Sequence, residues 1–251
     1  MRPLKFILLL MLILAPALGA QELQAKPGEV TVKLGLEGES FSKAVNVFLM
    51  LTLLSLAPGI IILMTSFTRI VIVLSFFRQA LGAQQIPSGR IINGLALFLT
   101  LFIMQPTWQR IHDEAIQPYT EKKISQQQAI DRAVVPVKDF MLGQMLKGER
   151  EDELLLFMDL AKHPEVEDPR ELPMRIIIPA FILSELKIAF QMGFLVFLPF
   201  LVIDMVVSTV LMSLGMMMLP PAMVSLPMKL LLFILVDGWT LLVSGIVNSF
   251  N

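Results

Sequence analysis

The chain contains no cysteine among its 251 residues. It therefore has no disulfide framework, no thiol nucleophile and no thiolate metal site. Its only two histidines, His112 and His163, lack ligand-like spacing, and the sequence has no Walker loop, dinucleotide glycine motif or His-Glu-x-x-His motif. These absences argue against an enzyme or a bound cofactor. The two acids that follow His112, Asp113 and Glu114, favour a solvated surface patch over a metal site, because no second cluster accompanies them.

Charge is scarce as well. Charged residues make up 16% of the chain and apolar residues 55%, which indicates a membrane protein. The net charge of −1 gives no reason to expect nucleic acid as a partner. Residues 110–175 hold ten basic and fourteen acidic residues and form the one water-facing block. The 76 residues from 176 to 251 hold five charges, which are Glu185, Lys187, Asp204, Lys229 and Asp237.

The N-terminus has the pattern of a signal peptide at residues 1–20. Arg2 and Lys5 precede a short apolar core at 6–14 and small residues at 15–20. An uncleaved anchor is the alternative, but the apolar run is short for a span. Residues 21–43 are polar and predict a flexible exported tail.

Hydropathy predicts an all-α membrane protein with four spans in two hairpins. In the first hairpin, residues 44–109, a span at 45–64 has a kink or break at Pro58, and a second apolar stretch covers 70–77. A polar bend at 78–90 leads to the second span at 91–104. In the second hairpin, residues 176–251, a long third span reaches residue 210. An uncharged loop at 213–227 then precedes the fourth span at 228–247.

Three arginines set the predicted orientation. Arg69, Arg78 and Arg90 are the only charges between residues 44 and 109, and the positive-inside rule places them in the cytoplasm. A cleaved signal peptide independently places the mature N-terminus outside. Residues 110–175 then form a periplasmic helical domain, with helices expected at 125–146 and 154–160. So small a block is expected to dock on other parts of the protein rather than fold alone.

Several long linear motifs resemble one family. They are PAFILSELKIAFQMGF at 179–194, PFLVIDM at 199–205, LGMMMLPP at 214–221, RIVIVL at 69–74 and ALGAQQIP at 80–87. They resemble the signatures of the FliP/SctR family, the export-gate subunits of flagellar and virulence type III secretion. The signal peptide and the length resemble the flagellar branch.

The resemblance implies more than hydropathy does. It implies a pentameric ring assembled with the FliQ and FliR subunits, partly raised out of the bilayer and with membrane lipid around it. It further implies FlhA and FlhB as neighbours and unfolded export substrates as cargo. The location would be the bacterial inner membrane, in the flagellar basal body.

The methionine run Met216, Met217 and Met218 precedes two prolines. Consecutive helical residues point around the whole circumference, so a loop suits three methionines better than a buried stripe. Thioether side chains are flexible and weakly polar. A ring of such loops could exclude water and ions yet deform around a passing chain. The resemblance implies this gasket role, and core filler is the alternative.

The isolated charges need partners or a purpose. Glu185 and Lys187 face nearly opposite sides of a helix and cannot neutralise each other. Lys229 is the cation expected to pair with Glu185, and the resemblance implies that this salt bridge forms between subunits. Snorkelling of Lys229 to the interface is the alternative.

Three further charges have weaker patterns. Asp204 could serve a proton relay, but a structural acid bonded across a helix interface is favoured, because a relay needs a chain of such groups. Arg69 is expected to anchor the first hairpin, and Asp237 to lie at a helix end in an interface.

Two functions therefore compete. The first is a non-enzymatic, pore-forming subunit of a protein export gate. The second is a secondary transporter or ion channel for a small solute, with Asp204, Glu185 and Lys187 along the path. The hairpins have no internal similarity of the kind that transporters show, and a transporter leaves the motifs and the leader unexplained.

Overall fold

The structure, a computed structural model, describes residues 38–82, 87–147, 151–164, 166–216 and 219–250. Every regular element within these ranges is helical, which confirms the predicted all-α membrane fold. The predicted signal peptide and residues 21–37 of the predicted tail lie outside the described residues. The chain divides into two compact units, Met1–Leu51 and Thr52–Asn251.

Ten α-helices are assigned in the described residues, with a five-residue π-helix, His112–Ile116, between α4 and α5 and a 3₁₀ turn, Pro169–Glu171, before α8. They are α1 Gly38–Leu63, α2 Phe67–Leu81, α3 Gly89–Ile103, α4 Gln105–Ile111, α5 Gln117–Thr120, α6 Gln126–Leu146, α7 Asp152–Leu160, α8 Met174–Ser213, α9 Pro221–Leu235 and α10 Gly238–Asn248.

The first helix is apolar and long enough to cross a bilayer over Val45–Leu63. The part of α1 that lies in the first unit exposes large apolar side chains, and Phe48, for example, has 70% of its surface exposed. The helix begins at Gly38, so the last six residues of the predicted tail are helical. It also continues through Pro58, so the break predicted there does not divide it.

The second apolar stretch of the first hairpin forms a buried core helix. At 15 residues, α2 is about 22 Å long and falls short of the ~30 Å hydrocarbon core. Ile70, Val73, Leu74 and Phe77 are all essentially inaccessible, and α2 packs mainly on α8. Side-by-side contacts along both helices, such as Phe77 with Phe200 at 6.2 Å between ring centroids, show that the two run parallel.

Helix α8 organises the second unit. Its 40 residues span about 60 Å, twice the hydrocarbon thickness. The first turns of α8 are buried by the block of residues 110–175, in one cluster that includes Met141, Met145, Leu154, Ile177 and Phe181. The block therefore docks on α8, and α6 and α7 confirm the two helices predicted within it.

Two predicted spans are bent pairs of helices. The axis turns by 56° between α3 and the run Gln105–Thr120, and by 68° between α9 and α10. By length and composition the described residues provide two candidate spans, α1 and α8, or four if each bent pair counts as one. The domain boundary predicted at residue 110 falls inside this helical run. The predicted loop at 213–227 is shorter, because Pro221 starts α9 at a position where proline is tolerated.

Candidate functional site

Three ion pairs lie along α8, and each charge that the sequence singled out there has its own partner. Glu185 pairs with Arg69 of α2, Lys187 with Glu153 of α7, and Asp204 with Lys229 of α9. Glu185 and Asp204 are 19 residues apart, about 28 Å along the helix. The pairs of Glu185 and Lys187 therefore fasten α2 and α7 at one level of α8, and the pair of Asp204 fastens α9 at another.

Arg69 is the centre of the most buried polar network. It is fully inaccessible and forms a bidentate pair with Glu185, through Nε to Oε2 at 2.9 Å and through Nη2 to Oε1. Nη2 also donates to Gln144 Oε1 at 3.3 Å, and Nη1 donates to the carbonyl and hydroxyl of Ser249 at 2.7 and 3.0 Å. All five N–H donors of the guanidinium are thereby used.

The same network holds the C-terminal end of α10 and the residues after it. The Phe250 ring lies under the guanidinium of Arg69, 3.8 Å from its carbon to the ring centroid. Gln144 Nε2 donates to the Phe250 carbonyl at 3.0 Å. One arginine thus joins α2, α6, α8 and the C-terminal residues. Complete donor satisfaction offsets the cost of removing this pair from water.

Lys229 fastens α9 to both α2 and α8. Its Nζ donates to Asp204 Oδ2 at 2.6 Å and to the Ala80 carbonyl at 2.9 Å. Ala80 lies in the last turn of α2, where carbonyls have no partner within the helix, so the lysine also caps that helix. Lys229 is buried, whereas the Asp204 side chain is 41% exposed.

The salt bridge predicted between Glu185 and Lys229 does not form within the chain. Glu185 already accepts two bonds from Arg69, and Lys229 is bound to Asp204 and Ala80. A pair between Glu185 and Lys229 of different subunits stays a prediction. Sequence reasoning treated Arg69 as a hairpin anchor and missed it as the partner of Glu185.

The methionine loop joins the end of α8 to the start of α9. Gly215 adopts a left-handed conformation with φ of 74°, and Met216 follows with 45% of its surface exposed. Met217 and Met218 lie outside the described residues. Asp237, at the bend between α9 and α10, is exposed and has φ of 50°. It lies at a helix end as expected, and its place in an interface stays a prediction.

The residues considered above as a metal site, His112, Asp113 and Glu114, are exposed residues of the π-helix. No group of three or more histidine, aspartate or glutamate residues that could hold a metal occurs in the described part of the chain. Glu114 instead pairs with Arg110 at 3.1 Å.

These features define a class: an all-helical membrane protein whose buried charges are bound in interhelical ion pairs. The model of the FliP family matches residues 50–246, so the chain belongs to the FliP family. Membership makes it a membrane component of flagellar biosynthesis and of the flagellar export apparatus. This family is one of export components rather than of known enzymes.

Similar proteins extend this match over nearly the whole chain. The chain is 50% identical to the flagellar biosynthetic protein FliP of Pectobacterium carotovorum subsp. carotovorum, over 96% of this chain and 90% of that protein. It is 53% identical to the FliP of Bacillus subtilis (strain 168), over 84% of this chain and 94% of that protein. Identity to the FliP of Aquifex aeolicus (strain VF5) is 46%, over 83% and 86% respectively.

Proposed function

We propose that this chain is a pore-forming subunit of the flagellar type III protein export gate. It conducts unfolded substrates across the bacterial inner membrane, in a pentameric ring completed by FliQ and FliR. FlhA and FlhB of the same basal body are its further neighbours. Family membership supports the export role, and the exposed face of α8 supports the assembly.

The apolar face of α8 is too long for lipid to cover. Large exposed apolar side chains occur along it from Leu183 to Met212, about 44 Å of helix. The hydrocarbon core is about 30 Å thick, and a 40° tilt would lengthen the path only to about 39 Å. The remainder would face water unless other protein covers it, and contiguous exposed apolar surface of this kind marks an interaction site. Assembly with further subunits satisfies that requirement.

The gate itself is the loop of Met216, Met217 and Met218. Gly215 before it has φ of 74°, and Pro220 and Pro221 after it form the N-cap and the first residue of α9. One such loop from each subunit closes the channel to water and ions. Flexible thioethers can then yield to an unfolded chain.

The transporter alternative receives no support from the ion pairs. Asp204, Glu185 and Lys187 bind three different partners on three different helices. None of them lines the cavity beside Gln105 and Pro106 or the groove along α10. A relay or solute path would need them to face one channel.

The gate role of the methionine loop can be tested by disulfide crosslinking, because the chain has no cysteine of its own that would react. Met216→Cys would be combined with an export substrate that carries one cysteine and a folded C-terminal domain, so that it stalls in the gate. Oxidation should give a disulfide between chain and substrate. Leu160→Cys, at 67% exposure on α7, is the control and should give none. Equal crosslinking at the two positions would reject the gate role of the loop.

The ring is tested separately by native mass in mild detergent. The chain co-expressed with FliQ and FliR should give a discrete species with five copies. A homogeneous monomer with and without those subunits would reject the pore and leave solute flux as the activity to measure.

A further inference from the structure

A pocket of about 630 Å³ lies beside the bend between α3 and α4. Helix α6 and the end of α10 form its other sides. One part of its wall is apolar and includes Phe102, Val247 and Phe250. The other part is charged and includes Arg110, Asp139 and Lys147. This bend pocket has the size of a small-molecule site and an amphipathic lining.

The charged side of the bend pocket keeps free hydrogen-bond donors. Arg110 donates through Nε to Glu114 at 3.1 Å and through Nη1 to Asp139 at 3.0 Å, which leaves three of its five N–H groups. Asp139 is also bound by Arg170, at 3.3 Å. Lys147 is exposed and forms no ion pair with any residue in the described ranges. The five charges sum to +1, so the rim suits an anionic group.

A shallow groove continues from the apolar side of the pocket. It has a volume of about 490 Å³ and follows the outer face of α10 from Trp239 to Asn248. Val247 lines both the pocket and the groove. The distance from Trp239 to Val247 is about 12 Å along the helix, which accommodates a long segment of one acyl chain.

We propose that the bend pocket binds the headgroup of one glycerophospholipid, with the phosphate between Arg110 and Lys147 and an acyl chain in the groove along α10. Arginine and lysine donors match phosphate oxygens. The apolar side adjoins further exposed apolar surface, since Phe98 and Phe102 of α3 are 74% and 66% exposed. The proposal rests on the membrane location of the protein and does not depend on the pore.

Native mass spectrometry of the full chain in mild detergent tests the site with dioleoyl phosphatidylglycerol as the probe. One phospholipid per chain should be retained. Dioleoylglycerol, which lacks the phosphate, and glycerol phosphate, which lacks the chains, should both bind at least tenfold more weakly. Equal retention of dioleoylglycerol would overturn recognition of the headgroup, and equal binding of glycerol phosphate would overturn the acyl groove.

Arg110→Gln with Lys147→Gln should weaken phospholipid binding by about tenfold or more, because two charge-assisted contacts are lost. The control is Arg132→Gln with Lys138→Gln, which removes the same charge from α6 outside the pocket lining. The control should retain the lipid as the unmodified chain does, and an equal loss in both would overturn the site.

A photoreactive phospholipid tests the same site in the unmodified chain, where folding of a variant is not in question. Crosslinked peptides should come from residues 102–110, 136–147 and 239–250. Val247→Trp, which fills the junction of pocket and groove, should abolish those crosslinks. Crosslinks confined to other helices would overturn the proposal. So would crosslinks between neighbouring copies of the chain in these three segments, because the pocket would then hold protein.

Discussion

Removing the guanidinium of Arg69 should destabilise the chain by about 3–5 kcal/mol. This is the typical effect of taking away one partner of a buried ion pair, because the remaining charge stays in a dry environment. Arg69→Met would leave Glu185 buried and would also cut the contacts to Gln144 and Ser249. Arg69→Lys should recover only part of the loss, since an ammonium cannot form the two-pronged contact with the carboxylate.

The measurement is the free energy of unfolding in mild detergent, followed by the fluorescence of the chain's two tryptophans. A double-mutant cycle separates the pair from its surroundings. Arg69→Met and Glu185→Leu should each be severe, and the double variant should be much less harmful than their sum, because both buried charges are gone. An exposed pair, Arg110 with Glu114, supplies the control and should be worth less than about 1 kcal/mol.

The same cycle with Lys229→Met in place of Arg69→Met distinguishes the two partners of Glu185. In the isolated chain, Glu185→Leu and Lys229→Met should be additive within about 0.5 kcal/mol, since the structure places them in separate ion pairs. Strong coupling between positions 185 and 229, or a loss below about 1 kcal/mol for Arg69→Met, would refute the network described here. Coupling that arises only in the assembled ring would instead support the predicted inter-subunit pair.

Two further predictions concern packing and pH. Gly193→Ala should destabilise the chain by about 1–3 kcal/mol, because the new Cβ would lie 2.6 Å from the Phe76 ring, and this outweighs the ~1 kcal/mol gain in helix propensity. Gly94→Ala has no atom within 4 Å of its Cβ and should show only the gain, so equal effects in thermal unfolding would contradict this packing argument. A hydrogen bond from Lys123 lowers the pKa of the Glu121 carboxyl. The contact between the two side chains therefore stabilises the fold at pH values above the ordinary pKa of glutamate. This stabilisation is lost as the pH falls through the lowered pKa of Glu121. Lys123→Gln should raise the pKa of Glu121 toward 4.5 in an NMR titration, and an unchanged pKa would contradict that cause.

The helical content could be predicted because it follows from local patterns. Apolar spacing of 3.6 residues predicts the helix α6 within one residue. The structure adds the reason for its start, a capping box formed by Ser125 and Gln128. Spacing also required separate partners for Glu185 and Lys187, and the structure provides them. The predicted loop includes Pro221, because local sequence does not distinguish a proline in a turn from one in the first turn of a helix.

The identity of the partners could not be predicted, because it depends on which helices pack together. Arg69 is 116 residues from Glu185, and nothing in either local sequence shows that α2 lies parallel to α8. One signal for Gln144 was available: it lies three residues after Met141, on the face of α6 that is otherwise apolar and buried. A polar side chain on such a face needs a buried partner.

Burial of Arg69 also changes the orientation argument. The positive-inside rule counts charges in loops, and Arg69 lies inside α2 with all its donors bound. The predicted cytoplasmic location of the first bend therefore depends on Arg78 and Arg90. Both remain near that bend, at the end of α2 and the start of α3, and neither forms an ion pair with a described residue.

The ion pair of Asp204 and Lys229 joins α8 to α9 on the helices that carry the methionine loop. From Asp204 to the end of α8 is nine residues, about 14 Å, and from Pro221 to Lys229 is eight residues, about 12 Å. The two arms are nearly equal, so the ion pair closes the base of a hairpin with the loop at its tip. Because Lys229 is also bound to the end of α2, the base is fixed to the core while the arms carry exposed methionines. If the loop is the gate proposed above, this arrangement predicts that it moves with its arms and leaves the packing of α2 on α8 intact.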